Sequence, residues 1–337
     1  MKPKKRVLVT GSAGFIGFHL SKLLLSEGFD VHGYDGITDY YDIKLKKRRH
    51  EILGEYPNFS STIGLLENKS LIDNVFDEFD PEFVVHLAAQ AGVRYSLENP
   101  RSYIDSNILG SFHVMDAAKN NDTKHLLMAS TSSVYGANNN MPFNENDKAD
   151  LQMTMYAATK KANESMAHSY SHLYKIPTSV FRFFTVYGPW GRPDMALFKF
   201  TKGILNNEPI DIFNNGKMYR DFTYVDDLVK SIRLLIDQTP IEGKPINKND
   251  SLSSTAPFRI VNIGNSKRVP LLEFIEAIET ELGVNAIRNY LPMQIGDVPK
   301  TWANVSLLND LTGFSPNTDI KDGIASFISW YRDYYNV

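Results

Sequence analysis

The sequence predicts a doubly wound α/β fold: a parallel sheet with helices on both faces, followed by a smaller α/β domain. Three observations predict it. Apolar strands alternate with helical segments as far as Phe184, a glycine-spaced turn (Gly11-x-x-Gly14-x-x-Gly17) directly follows the first strand, and an acid, Asp35, closes the second strand. Strands alternating with helices build right-handed βαβ units, which assemble into a parallel sheet buried on both faces.

Taken in order, Arg6–Thr10 is a run of β-branched and apolar residues, read as a buried strand. Phe15, Ile16, Leu20, Leu23 and Leu24 then recur at helical spacing until Glu27-Gly28 ends the helix. Val31–Tyr34 is a second strand, and Phe83–Leu87, Lys124–Ala129 and Thr178–Phe184 are the third, fourth and fifth. Helices are expected over Ser70–Phe79, Tyr103–Asn120 and Tyr156–Tyr174, while the stretch between Asp35 and Ser70 is too variable to assign. Past Phe184 the texture changes: Gly188–Pro193 is loop-like, and irregular polar stretches such as Ile241–Pro257 become common. The expected division is a dinucleotide-binding domain over 1–180, to which short later segments return, and a mainly substrate-binding domain over 181–337.

Composition excludes several function classes. Of 337 residues, 42% are hydrophobic and 22% charged, ordinary for a soluble globular enzyme. A net charge of -3 leaves no electrostatic footprint for nucleic acid or an anionic membrane. With no cysteine, disulfides, thiolate nucleophiles and cysteine metal sites are ruled out, and no metal is expected. Met1–Arg6 is basic, but the following apolar stretch runs straight into the glycine turn, so no signal peptide is read, and a cytoplasmic location is expected. Lys44, Lys46, Lys47, Arg48 and Arg49 form a basic run after Asp39-Tyr40-Tyr41-Asp42, expected to be a solvated helix face rather than a phosphate contact.

The glycine turn has a mechanism. Its first glycine permits a tight turn, its second lets backbone N–H groups approach a pyrophosphate, and its third lets the helix pack close to the strand. The phosphates then meet the helix N-terminus, where free N–H groups and the dipole favour an anion. Asp35 can accept hydrogen bonds from ribose hydroxyls and would repel a 2′-phosphate, which favours NAD over NADP.

Tyr156 and Lys160 supply the chemistry. Four residues apart on a helix, they share one face. A free phenol with a pKa of about 10 is a poor base at neutral pH; a cation beside it favours the phenolate, which can then take a proton from an alcohol. The fourth strand runs into Ser130-Thr131-Ser132-Ser133, whose hydroxyls would face the ligand crevice at the strand's carboxyl end.

With these pieces in place the chain resembles the extended short-chain dehydrogenase/reductases, and within them the nucleotide-sugar epimerases. The shared motifs are Thr10-Gly-Ser-Ala-Gly-Phe-Ile-Gly17, His86-Leu-Ala-Ala-Gln90, Ser133-Val-Tyr-Gly136, Tyr156-x3-Lys160 and Arg220-Asp-Phe-Thr-Tyr-Val-Asp-Asp227. The resemblance implies a Rossmann domain, with Thr131 as the catalytic hydroxyl, Tyr156 as the base and Lys160 as its cationic helper and a nicotinamide-ribose ligand. It implies an NAD site formed by Gly11, Gly14, Phe15, Ile16, Gly17, Asp35, Leu66, Ala88, Ala89 and Asn107 with Tyr156 and Lys160. Where many relatives carry an adenine-contacting acid, this chain has Gly64-Leu65-Leu66, so adenine must be held differently. The dehydratase relatives place an Asp-Glu pair after the catalytic Thr; here Ser132 and Ser133 stand there, which disfavours elimination.

The segment Arg182–Ala196 is similar to that of the UDP-glucuronate 4-epimerases, as are Gln90–Pro100 and Leu291–Gln294 with Gly296-Asp297-Val298. This similarity implies reversible C4 epimerisation of a UDP-uronate through a 4-keto intermediate, the hydride being taken and returned by bound NAD. Thr185 and Arg192 would hold the sugar carboxylate and Arg220 the diphosphate, with Arg94, Thr131, Ser132, Phe213 and Asp297 completing the substrate site. Other UDP-sugar 4-epimerases, a UDP-glucuronate decarboxylase and an idle NAD-sensing regulator stay open as alternatives. Relatives pair through two helices per subunit, so Tyr103–Asn120 and Tyr156–Tyr174 are expected to form a homodimer interface.

Overall fold

The computed structural model describes residues 5–294 and 296–337; residues 1–4, the start of the basic N-terminal stretch, lie outside the described residues. The first half runs β1 (Arg6–Thr10), α1 (Phe15–Ser26), β2 (Asp30–Asp35), α2 (Ile43–Gly54), β3 (Phe59–Ile63), α3 (Lys69–Phe79) and β4 (Phe83–His86). Short helices α4 (Tyr95–Glu98) and α5 (Pro100–Tyr103) lead through a π-helical segment, Ile104–Gly110, into α6 (Ser111–Asn120), β5 (His125–Thr131), α7 (Met155–Tyr174) and β6 (Thr178–Phe183). The second half comprises β7 (Thr185–Tyr187), α8 (Ala196–Leu205), β8 (Ile210–Ile212), β9 (Tyr219–Arg220), β10 (Phe222–Tyr224), α9 (Val225–Ile236) and β11 (Phe258–Ile263). It ends with β12 (Val269–Pro270), α10 (Leu271–Leu282), β13 (Arg288–Tyr290), β14 (Lys300–Thr301), α11 (Ser306–Thr312) and α12 (Ile320–Tyr335).

Seven strands form one parallel sheet in the order β11-β6-β5-β4-β1-β2-β3. Alternation along β1 shows both faces buried: Val7 and Val9 enter one core with Phe18, Leu228 and Ile232, whereas Leu8 enters another with Val75, Val114 and Met115. The order reverses between β1 and β4, so their carboxyl ends open a crevice at the topological switch point. Thr10 pairs with both Tyr34 and His86, which brings the glycine turn, the acid after β2 and the loop after β4 to one edge.

A third core, containing Ile204, Phe222, Phe274, Ile278 and Phe327, holds the remaining small sheets and α8, α10 and α12 together. The Phe222 and Phe274 rings stack 4.1 Å apart at 3°. Buried Asp221 anchors this region beside the crevice by accepting hydrogen bonds from Asn265 N (2.6 Å), Ser266 N (3.0 Å) and Ala303 N (3.1 Å). Its neighbour Arg220 is thereby fixed at the crevice wall.

The structure departs from the sequence reading in four places. The unassigned stretch contains β3, an edge strand too polar (Phe-Ser-Ser-Thr-Ile) to show a core pattern. Residues 258–263, for which the sequence reading gives no strand, form β11, which pairs with β6 along its whole length and is a later segment of the kind expected to return to the first domain. The expected helix over Tyr103–Asn120 is interrupted by the π-helical turn, a wider winding that a 3.6-residue periodicity cannot reveal. The basic run is not simply a solvated face, because Lys46 and Arg49 point inward from α2 and are buried. Lys46 Nζ donates to Thr38 O (2.7 Å) and lies 4.3 Å from the Tyr41 ring centroid. Arg49, fully buried, donates to Ala13 O (3.0 Å) in the glycine turn and to Trp190 O (2.5 Å) and Gly191 O (3.3 Å). These carbonyls pair both terminal nitrogens of the buried guanidinium, while its Nε has no hydrogen-bond partner among the described residues.

Candidate active site

A cleft of about 1330 Å³ lies at the switch point, lined by all the sequence-predicted site residues except Asn107. That is large enough for more than one drug-sized ligand, for which about 300–1,000 Å³ is usual. Its two halves are built differently.

In the first half, Gly11 adopts φ +78°, and a Cβ there would lie 2.8 Å from Ala88 N; a Cβ on Gly17 would lie 2.0 Å from Gly11 O. Strand-to-strand and strand-to-helix approach therefore both need glycine. Helix α1 begins without a side-chain cap and without an acid in its first turn, leaving its N-terminus open to an anion. Asp35 accepts from Ala13 N (3.0 Å) and Ile37 N (2.8 Å), which aims its carboxylate across the turn. Leu66, Ala88 and Ala89 complete an apolar wall.

Between the halves stand Thr131, Tyr156 and Lys160. Thr154 caps α7 through Ala157 N (3.2 Å), setting Tyr156 in the first turn and Lys160 one turn below. Burial raises the Tyr156 phenol above its ordinary value, and its hydrogen bond with Thr131 and the Arg192 charge offset only part of that rise. Lys160 Nζ donates to Ala129 O (2.9 Å), and burial lowers its pKa to about 8, opposed by Glu164. Hence the pair sits on one helix face as expected, and Thr131 and Arg192 are the groups that work against burial toward the phenolate. Glu164 itself is buried, forked by Arg182 at 2.9 Å to each oxygen and bonded by the Ser130 hydroxyl at 2.7 Å.

The second half is cationic. Arg192 engages Asp194 through Nε (3.0 Å) and Nη2 (2.5 Å), with the Tyr40 ring 5.7 Å away. Burial works against the Arg192 charge, but Asp194 more than offsets this and holds it above its ordinary range. Arg94 lies 4.7 Å from the Phe213 ring centroid and 3.4 Å from Asp297. Arg220 donates to Tyr219 O (2.9 Å); burial lowers its pKa, opposed by Asp297 and reinforced by Arg94. Thr185 and Ser132 line the same cleft.

Residues 7–247 match the NAD dependent epimerase/dehydratase family. The chain belongs to that family. It is 54% identical to a probable UDP-glucuronate 4-epimerase of Rhizobium meliloti (strain 1021), with 98% of each chain covered. Identity is 44% to UDP-glucuronate 4-epimerase 4 of Arabidopsis thaliana, over 98% of this chain and 76% of that one. The fold superposes on UDP-glucuronic acid 4-epimerase from Bacillus cereus, solved with UDP-glucuronic acid and NAD, with a TM-score of 0.88 and 30% identity over 98% and 100% of the two chains.

Membership makes this an NAD-dependent enzyme with a Rossmann fold, and the residues fit NAD. The open α1 terminus, the two glycines at which a Cβ would clash and the acid Asp35 at the end of β2 are what a dinucleotide without a 2′-phosphate requires. We expect Gly17→Ala to yield a protein without bound NAD, checked by the absorbance of cofactor released on denaturation. Asn107 is the predicted site residue that does not reach the cleft. Fully buried, it accepts from Gln90 N (2.8 Å) and donates to Gln90 O (3.0 Å) and Thr159 Oγ1 (3.1 Å), clipping the loop after β4 to the π-helical turn and α7. Tyr40 and Asp194 were missed. Their signal was present: Asp194 lies two residues from Arg192, and Tyr40 sits in the acidic, aromatic stretch before α2.

Proposed function

We propose that the enzyme interconverts UDP-glucuronate and UDP-galacturonate by oxidising and re-reducing C4. The observation that carries this reading is a guanidinium, Arg192, held in the same cleft as the Thr131/Tyr156/Lys160 set and the glycine turn. A planar guanidinium suits a carboxylate, and Arg94 and Arg220 at the far end suit a diphosphate. The names of the relatives and the ligands of the Bacillus cereus structure support the same substrate.

Tyr156, as phenolate, takes the O4 proton when C4 is oxidised and returns it when C4 is reduced. The Thr131 hydroxyl orients that phenol and stabilises its charge. Bound NAD would supply the hydride acceptor and donor at C4. Lys160, whose ammonium is anchored on Ala129 O, would hold the nicotinamide ribose. The 4-keto sugar is a β-keto acid, and it loses carbon dioxide when its carboxylate stands perpendicular to the carbonyl plane. In this reading Thr185 and Arg192 hold the carboxylate out of that geometry while the ring turns over.

Incubation with UDP-glucuronate and no added NADH tests this. A galacto product by NMR is expected; loss of carbon dioxide as the main reaction, or no turnover, contradicts it.

The reading includes a homodimer. Ile104 and Phe112 on one segment and Leu173 and Tyr174 on α7 are exposed, and Phe112 and Tyr170 lie 6.4 Å apart, so the two apolar surfaces are continuous. Phe112→Asp with Leu173→Asp is expected to halve the mass by light scattering; an unchanged mass rejects this interface. The reading also places the enzyme in the cytoplasm, supplying an activated uronate for polysaccharide assembly.

A further inference from the structure

The structure assigns Asp194 as the positioning residue for Arg192, fixing which edge of its guanidinium meets the substrate carboxylate. This rests on the epimerase reading above and deepens it. Both oxygens of Asp194 fork onto the Nε and Nη2 edge of Arg192, at 3.0 and 2.5 Å. Tyr40 secures the far side, its hydroxyl donating to Asp194 Oδ2 at 3.2 Å and its ring lying 5.7 Å from the guanidinium. What remains for a ligand is the Nη1 edge, and Arg192, Asp194 and Tyr40 all line the cleft.

The backbone carrying the pair is held as firmly. Met195 N donates to Arg192 O at 3.1 Å, closing a turn across Pro193, whose ring restricts the chain there. The preceding residues hang from the cofactor domain: His19 Nε2 meets Pro189 O at 2.9 Å, and Arg49 takes Trp190 O and Gly191 O while also holding Ala13 O in the glycine turn. An arginine on a long stem would otherwise sample many rotamers, and a fork onto a fixed carboxylate removes that freedom. Preorganisation of this kind matters here because the 4-keto acid needs its carboxylate kept from one particular angle.

Decarboxylation gives the readout. The C5–C6 bond breaks, its electron pair passes into the C4 carbonyl as an enolate, carbon dioxide leaves, and C5 takes a proton. The 4-keto pentose then departs with the cofactor still reduced, or receives the hydride at C4 and leaves as the UDP-pentose.

The experiment compares wild type with Asp194→Asn and Tyr40→Phe, measuring UDP-galacturonate, UDP-pentose and carbon dioxide from UDP-glucuronate. Asp194→Asn is expected to raise the fraction of turnovers ending in carbon dioxide by about tenfold or more, as a displaced catalytic contact does, with Tyr40→Phe shifting it the same way but less. A slower Asp194→Asn with an unchanged product ratio overturns the assignment, because a merely structural residue would act that way. A lower KM with an unchanged ratio also overturns it, since Asp194 would then be a competitor for the fork. If Asp194→Asn does not fold, the Tyr40→Phe ratio decides on the same criterion. A wild type that leaves UDP-glucuronate untouched contradicts the proposed reaction itself, whereas an unchanged ratio in both variants contradicts only the positioning role.

Discussion

Tyr156→Phe is expected to lower kcat on UDP-glucuronate by about 10²–10⁴-fold, the range for removing a general acid–base group. Bound NAD and thermal stability should be nearly unchanged. The ring of Tyr156 packs edge-on to Tyr103 at 6.0 Å, a contact that phenylalanine retains. What is lost is the hydroxyl placed against Thr131 and within the field of Arg192. Burial holds that phenol above its ordinary range, and the Thr131 hydrogen bond and the Arg192 charge offset part of that rise. Steady-state kinetics together with the NAD content of the purified variant check this. A variant with near wild-type kcat would move the proton transfer to another residue.

Arg192→Ala changes which product forms. In the proposed reading this removes the fork onto the substrate carboxylate, and it leaves Asp194 without its Arg192 partner at the cleft wall. Burial already opposes ionisation of Asp194, and only Arg192 and its hydrogen bonds hold its carboxyl below the usual range. The expected result is a large loss of galacto product, with the remaining turnover released as decarboxylated pentose, followed by NMR and by trapping of carbon dioxide. Normal epimerisation with no such product rejects the carboxylate clamp. Asp194→Asn should shift the ratio in the same direction but less, since it leaves the arginine in place and frees its orientation.

Much of this was legible in the sequence because it rests on local rules. The Gly11/Gly14/Gly17 spacing reports its own geometry, since each glycine answers one steric demand that the structure confirms at Gly11 and Gly17. Tyr156 and Lys160 are one helical turn apart, and helical periodicity alone places them together. The parts that were not legible depend on partners distant in the chain. Arg49 looked like one member of a solvated basic run, and only the arrival of Trp190 O and Gly191 O from the other half of the chain explains its burial. Strand β11 follows an irregular polar stretch and finds its place only against β6. Asn107 has the polarity of a ligand contact, but its amide is consumed by Gln90 and Thr159. The anchoring of Lys160 on Ala129 O was not legible either, because spacing on a helix says nothing of where a flexible ammonium finds its acceptor.

The most direct test of the central claim follows an isotope. UDP-glucuronate carrying deuterium at C4 is incubated with the purified enzyme and no added NADH, and the products are read by NMR and mass spectrometry. The account predicts UDP-galacturonate with deuterium retained at C4 and no carbon dioxide. Deuterium lost to solvent, or a pentose formed in place of the galacto product, would contradict it.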